Sequence, residues 1–289
     1  MSKILITGGA GSFGRTLAHE LRTAGHELSI FDLPSCDFDF FQAWEKTSIF
    51  KGDILDPASM AEALEGVELI YHLAAILPPA SEVDQDRTFS VNVNGTQSLV
   101  DACDGLDPMP RVIFASSVSV YGDTTGSTAP IKPDHPVNPN TWYAESKVKA
   151  EDILTASSMP VTNLRISGVA IPAFLDPPEP WPFMADQQIE LVVLSDLVAA
   201  MKNLVSAAHV PEATLLIAGG PSWQVKGEAY VRQWGEVMEI PLAEMAFMDT
   251  PGWLNWYDTS ASQSALNYQN TSLDLFFKQL KTAVDEALA

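Results

Sequence analysis

The sequence predicts an α/β fold, a doubly wound parallel sheet with a smaller, partly interleaved C-terminal lobe. Short apolar, β-branched runs alternate with amphipathic stretches through the first half of the chain. A glycine-rich turn joins the first of these runs to the first helical pattern. At 289 residues the chain exceeds the usual size of one doubly wound domain.

In order, Lys3 to Thr7 reads as a strand, Phe13 to Thr23 as a helix closed by Gly25, and Glu27 to Phe31 as a second strand. Together they make one mononucleotide-binding unit of the Rossmann kind. Further strands are expected at Ser48 to Lys51, Leu69 to Leu73, Arg111 to Ser116 and Val161 to Ile166, with helices at Pro57 to Leu64, about Val91 to Cys103, and Trp142 to Thr155. After Ile171, Pro172, Pro177, Pro178, Pro180 and Pro182 break regular structure. The division is therefore placed there, with residues 1–170 as the nucleotide-binding domain and 171–289 as the second lobe. Ser195 to Ala207 reads as a helix, and Thr214 to Ala218 as a strand returning to the first sheet, which interleaves the two parts.

Composition narrows the function classes. Lys and Arg total 16 against 37 Asp and Glu, a formal charge of −21 that repels polyanions and anionic lipid surfaces. A small molecule is the expected partner, not nucleic acid or a membrane. Cys36 and Cys103 are the only cysteines, without the spacing of a disulfide framework or zinc site, so no metal is expected. With no signal-peptide core and no bilayer-length apolar run, a cytoplasmic location is the expectation.

The turn Gly8-Gly9-Ala10-Gly11-Ser12-Phe13-Gly14 satisfies GxGxxG at Gly9, Gly11 and Gly14, and GxxGxxG at Gly8, Gly11 and Gly14. Glycine lets the backbone approach a pyrophosphate closely while the helix N-terminus points its N–H groups at it. Asp32 follows the last glycine by 32 − 14 = 18 residues, near the spacing of a carboxylate that accepts from the adenosine ribose. NAD is favoured over NADP, because Leu33, Pro34 and Ser35 supply no arginine for a 2′-phosphate. Arg15 and Lys51 are the cations that would relax this preference.

Tyr143-Ala144-Glu145-Ser146-Lys147 is a YxxxK pair whose spacing puts phenol and ammonium on one helix face. A phenol is a poor base at neutral pH, and a neighbouring cation favours its ionised form. Lys147 suits that role and could also hold the nicotinamide ribose. Ser116 and Ser117 close a strand at its carboxyl end, where open α/β sheets bind ligands, and so place a hydroxyl for polarising a substrate oxygen. No GxSxG elbow supports a serine hydrolase.

These features, with Gly52-Asp53-Ile54, His72-Leu73-Ala74-Ala75, Asn92-Val93-Asn94-Gly95-Thr96 and Tyr121-Gly122, resemble the extended short-chain dehydrogenase/reductases, specifically the NAD-dependent epimerase/dehydratase family. The resemblance implies that Asp53 and Ile54 flank the adenine, that Leu73, Ala74 and Ala75 line the cofactor, and that Asn92 helps hold it. It also implies that Ser117, not Ser116, is catalytic with Tyr143 and Lys147, and that the chain forms a homodimer through the Asn92 and Tyr143 helices. One departure is Ile166, Ser167 and Gly168, where many family members carry an aromatic residue and Asn.

From Ile166 to Val225 the only Lys or Arg is Lys202, a poor endowment for gripping a nucleotide-sugar diphosphate. The expected activity is therefore reversible alcohol/ketone hydride transfer on a small or sugar-like substrate. A sugar or nucleotide-sugar epimerase is the alternative, and a non-catalytic NAD(H)-binding sensor stands behind both. Ile76 to Pro79, Trp181 and Phe183 offer either an apolar roof for the pocket or ordinary loop packing.

Overall fold

The computed structural model describes residues 1–207 and 214–289. In chain order its first elements are β1 (Lys3–Thr7), α1 (Ser12–Thr23), β2 (Glu27–Asp32), β3 (Thr47–Lys51), α2 (Pro57–Met60), β4 (Leu69–His72), α3 (Gln85–Phe89), α4 (Gly95–Cys103), β5 (Arg111–Ser117), α5 (Trp142–Ala156) and β6 (Val161–Ile166). The strands lie in the order β3-β2-β1-β4-β5-β6. The pairings of β1 with β2 and β4, of β2 with β3, and of β4 with β5 all run parallel.

Strand order reverses between β1 and β4, and that reversal positions the candidate site. The segments leaving β1 and β4 begin at the carboxyl ends of adjacent strands and diverge, which opens a crevice. Leu17 and Leu21 of α1 are fully buried, each worth about 1.5–3 kcal/mol of hydrophobic stabilisation. Leu5, Ile70, Val112 and Phe114 of the sheet share one core cluster with Leu99 of α4 and Leu154 of α5.

Two helices differ from the sequence expectation. The helix expected from Val91 begins at Gln85, where the Asp84 side chain accepts from the Arg87 amide at 2.9 Å, and it passes through a π-turn at Ser90–Asn94. The helix expected over Pro57 to Leu64 is α-helical only to Met60, and a 3₁₀ turn follows at Glu62–Leu64.

The remaining elements are β7 (Gly168–Ala170), β8 (Gln188–Ile189), β9 (Leu191–Val193), α6 (Leu194–Leu204), β10 (Thr214–Ile217), β11 (Val225–Lys226), α7 (Gly227–Met238), α8 (Ser260–Leu266) and α9 (Leu273–Leu288). β10 joins the main sheet beside β6.

Two compact units result: Met1–Val120 with Pro139–Leu164 and Leu204–Thr214, and Tyr121–Asn138 with Arg165–Asn203 and Leu215–Ala289. In the second, β7 pairs with β9 and β8 with β11. Its core is aromatic: the Trp181 ring lies 5.5 Å from Trp234 and 5.8 Å from Tyr230, and Trp223 lies 5.1 Å from Phe276. Trp181 and Phe183 are therefore core residues and not a pocket roof, because burying their large apolar surfaces outweighs the local proline-rich irregularity.

Candidate active site

The glycine turn is shaped by three different constraints. Gly8 has φ +71°, and a Cβ there would lie 2.8 Å from the Ala74 amide nitrogen. At Gly14 a Cβ would lie 2.5 Å from the Gly8 carbonyl oxygen, so this glycine lets helix and strand pack together. A Cβ on Gly11 would meet only that same carbonyl, at 3.3 Å, so its vacant side-chain direction faces out of the turn. Gly11 is also the N-cap of α1 and brings no side chain to the helix terminus. The first turn, with Ser12 and Phe13, thus offers N–H groups and a positive helix end to an anion. A dinucleotide pyrophosphate fits that cradle.

Asp32 closes the cradle. Its Oδ2 accepts from the Ala10 amide at 3.0 Å, and its Oδ1 accepts from the Leu33 amide at 2.8 Å. Arg15 donates to the Ala10 carbonyl at 2.7 Å and pairs with Asp37 at 3.2 Å, while Lys51 lies 5.0 Å from the Phe38 ring centre. The Asp32 and Asp37 carboxylates thus both meet the glycine turn or the arginine that follows it, and that guanidinium is already engaged.

The other expected cofactor residues divide into two groups. Leu73 and Ala74 are held by the Thr7 carbonyl at 3.1 Å and hydroxyl at 3.4 Å, and Ala75, partly buried, continues the same segment. Asp53 is exposed and accepts from the Leu55 amide at 3.0 Å, whereas Ile54 is buried against Gly95. Asn92 faces protein: its Oδ1 accepts from the Ile76 amide at 2.7 Å, and its Nδ2 donates to the Ile76 carbonyl and the Ser146 hydroxyl, both at 3.0 Å. It clamps the segment after β4 to the helix carrying Tyr143.

Thr141 caps that helix by accepting from the Ala144 amide at 3.1 Å. Glu82 adds a second cap, accepting from the Tyr143 amide at 2.9 Å and the Trp142 amide at 3.0 Å. The Tyr143 phenol lies beside Ser117, near enough for that hydroxyl to favour its ionised form. Ser117 Oγ also accepts from the Ser119 amide at 3.1 Å, while the Ser116 hydroxyl donates to Glu151 at 2.5 Å. The two serines therefore separate by partner, and Ser117 is the one beside the phenol.

Lys147 is 2% exposed; its ammonium donates to the Ala115 carbonyl at 2.8 Å and sits 5.6 Å from the Tyr143 ring centre. Burial pulls Lys147 down to about 8, against the pull of Glu151. Burial pushes the Tyr143 phenol up, and the neighbouring Ser117 hydroxyl acts in the opposite sense. His72, stacked on Phe114, is pulled down to about 3 by burial and then by the Lys147 charge, so it is neutral. Among the described residues no cluster of His, Cys, Asp and Glu is arranged to hold a metal, and no helix is long and apolar enough to cross a membrane.

The sequence reading missed Glu82 and Glu151. Glu151 lies one turn beyond Lys147 on the same face, a signal that spacing could have supplied. Glu82 comes from a distant loop and leaves no such mark.

A family model for the NAD dependent epimerase/dehydratase family matches residues 4–176. D-erythronate dehydrogenase of Cupriavidus necator is 33% identical over 162 residues, covering 53% of this chain and 49% of that protein. UDP-glucose 4-epimerase of Streptomyces lividans is 29% identical over 160 residues, covering 54% and 47%. The chain thus spans about half the length of these curated relatives. A short-chain dehydrogenase/reductase superfamily protein from Agrobacterium tumefaciens, crystallised with bound NAD, superposes with a TM-score of 0.79 at 22% identity, over 99% of this chain and 98% of that one.

Proposed function

Because the chain belongs to the NAD dependent epimerase/dehydratase family, we propose that it is an NAD-dependent oxidoreductase that interconverts an alcohol and a ketone on a small, sugar-like substrate. The observation that carries this reading is the placing of Ser117 and of the buried ammonium of Lys147 beside the Tyr143 phenol.

Gly8, Gly11, Ser12, Phe13 and Gly14 would hold the NAD pyrophosphate, Asp32 the adenosine ribose, and Lys147 the nicotinamide ribose. Asp53, Ile54, Leu73, Ala74 and Ala75 would form the walls, with Asn92 fixing the last of these through Ile76. NAD supplies the acceptor for the substrate's hydride. Tyr143, as phenolate, takes the proton from the substrate hydroxyl, a step that burial opposes and the Ser117 hydroxyl eases, and that a nearby Lys147 charge would assist. Ser117 donates a hydrogen bond to the substrate oxygen as negative charge builds there.

A substrate without a diphosphate is favoured by the engagement of the second unit's two arginines. Arg165 donates to the Tyr121 hydroxyl at 2.9 Å and the Pro133 carbonyl at 3.1 Å, and Arg232 is paired with Glu228. The likeness to D-erythronate dehydrogenase points the same way. The epimerase reading keeps support from the likeness to UDP-glucose 4-epimerase, because the same first half-reaction serves both outcomes. Assembly into a homodimer through the Asn92 and Tyr143 helices is part of the proposal, and a monomeric mass by light scattering at micromolar concentration would reject it.

The test incubates the protein and its Tyr143→Phe variant with NAD⁺ and a panel of alcohols, free sugars, aldonates and UDP-sugars. Absorbance at 340 nm and product isomers are followed together. The expected result is net NADH with a small substrate, lost by a factor of about 10²–10⁴ in the variant while NADH affinity is kept. Isomer conversion without net NADH would establish the epimerase, and full activity in Tyr143→Phe would refute the assigned base.

A further inference from the structure

Three consecutive residues of β5 each face one of three residues spaced by four along α5. The Ala115 carbonyl accepts from Lys147 Nζ at 2.8 Å, the Ser116 hydroxyl donates to Glu151 Oε1 at 2.5 Å, and Ser117 lies beside Tyr143. Tyr143, Lys147 and Glu151 therefore share one helix face, turned toward the end of the strand. The proposed chemistry uses Tyr143, Lys147 and Ser117 and leaves Glu151 and Ser116 unexplained.

Burying an ammonium against a carbonyl and an aromatic ring forfeits most of its hydration, and a lone ammonium in such a place sheds its proton. The groups around Lys147 supply little other compensation. His72 on β4 is neutral. Glu82 is exposed and engaged with the Trp142 and Tyr143 amides. Asp86 and Arg87 of α3 and Asp101 of α4 are exposed. Glu145 and Lys149, on α5 itself, pair with each other at 3.2 Å. Among the described residues of the first unit, Glu151 is the one buried carboxylate.

We infer that Glu151 is a positioning residue of the active site: a buried carboxylate, oriented by Ser116, that holds Lys147 in its charged form beside Tyr143. The inference rests on the reading that Tyr143 and Lys147 carry the chemistry. Glu151 touches neither substrate nor cofactor in this role. It acts through Lys147, whose charge lowers the cost of ionising the phenol. Burial brings Lys147 down to about 8 even against the raising pull of Glu151, so neutralising the carboxylate would discharge the ammonium within the neutral range.

The test reads Lys147 directly in the full, cofactor-free chain. Lysines are labelled with ¹³C at Cε, the Lys147 resonance is assigned by its loss in Lys147→Arg, and its pH titration is followed by NMR. The wild-type midpoint is expected at about 8. Glu151→Gln should lower it by about one pH unit, a tenfold change in the protonation equilibrium. Ser116→Ala should lower it by less, and Glu151→Asp should keep most of the wild-type value. Thermal midpoint and NADH affinity should stay near wild type, since a purely structural role would move those and leave the titration in place. An unmoved midpoint in folded Glu151→Gln overturns the inference; if that variant does not fold, an unmoved midpoint in Ser116→Ala does so. A lowered midpoint combined with full turnover in Tyr143→Phe would leave the Glu151–Lys147 coupling standing and reject the proposed chemistry.

Discussion

Replacing Glu190 by glutamine should change the pH dependence of stability in a direction set by the buried carboxyl. Glu190 is 0% exposed. Its Oε1 accepts from the Gly220 amide at 2.8 Å, and its Oε2 accepts from the Tyr257 amide at 2.9 Å and the Gln224 side chain at 3.0 Å. Burial pushes its carboxyl up from 4.5 to about 7, overcoming these hydrogen bonds. Because the folded value is raised, the native state keeps a proton that the unfolded chain releases between those limits. Stability is then greatest below pH 4.5 and falls as pH rises toward 7. At about 1.4 kcal/mol per pH unit the interval corresponds to a loss of about 3 kcal/mol. Glutamine keeps the volume and cannot ionise. It retains an acceptor for Gly220, and a turned Gln224 amide can accept from its new NH₂, so the Tyr257 N–H is the group left unpaired, at a cost of about 1–3 kcal/mol. The variant should be less stable than wild type at pH 4.5 and should regain about 3 kcal/mol relative to it by pH 8. Urea unfolding followed by tryptophan fluorescence measures this, since Trp181, Trp223, Trp234, Trp253 and Trp256 all lie in the unit that contains Glu190. A stability difference that stays constant from pH 4.5 to 8 would refute the reasoning.

Four further outcomes test the site. Ser117→Ala should lower kcat by about 10²-fold with NADH affinity unchanged, as expected for one donor acting where charge develops, and steady-state kinetics beside fluorescence titration would show the split. Asp32→Ala should weaken NAD binding by about tenfold and narrow its advantage over NADP, measured by titrating both reduced cofactors; the remaining NAD preference reports Asp37, which holds Arg15 at 3.2 Å. Gly11→Val should abolish NADH binding with an unchanged circular dichroism spectrum, because the Gly11 side-chain direction meets only the Gly8 carbonyl, at 3.3 Å. Gly14→Ala should instead unfold the turn, since the new Cβ would lie 2.5 Å from that carbonyl.

Much of this arrangement was legible in the chain because its signals are local. Asp32, the glycine turn and the YxxxK pair each occupy a few adjacent positions with fixed consequences for backbone and face. The clamp by Asn92, the cap by Glu82 and the anchoring of Arg165 on Tyr121 bring together residues far apart in sequence, and no period or propensity encodes such pairings. Trp181 and Phe183 left two readings open for a related reason. Their proline-rich neighbourhood reads as irregular loop, but the rings Trp181 packs against, Tyr230 and Trp234, belong to α7, which lies about 50 residues on, and Phe183 packs against Trp181 and Phe247. Beyond the interleaving expected from the strand at Thr214, the segment Tyr121–Asn138 also belongs with the second unit, where Tyr121 and Thr124 bond to Arg165 and Asn255.

The position of Lys147 gives an argument for function that needs no motif. Among the described Lys and Arg residues of a chain with net charge −21, only Lys147 and Arg165 are buried. Arg165 disperses its charge over the Tyr121 hydroxyl, the Pro133 carbonyl and the Tyr121 ring, a stable berth for a guanidinium. Lys147 has a compact, strongly hydrated charge, one carbonyl at 2.8 Å and a pKa pulled to about 8, and folding alone would be better served by an apolar side chain of similar size. Such a burial persists where the charge has work to do on a neighbour, and the neighbour on its helix face is Tyr143. Lys147→Met, made together with Glu151→Gln so that no buried carboxylate loses its partner, should therefore raise the midpoint of thermal unfolding while removing turnover. A variant that loses both stability and activity would show that the ammonium is held for structure, and the case for phenolate chemistry at Tyr143 would then rest on Ser117 alone.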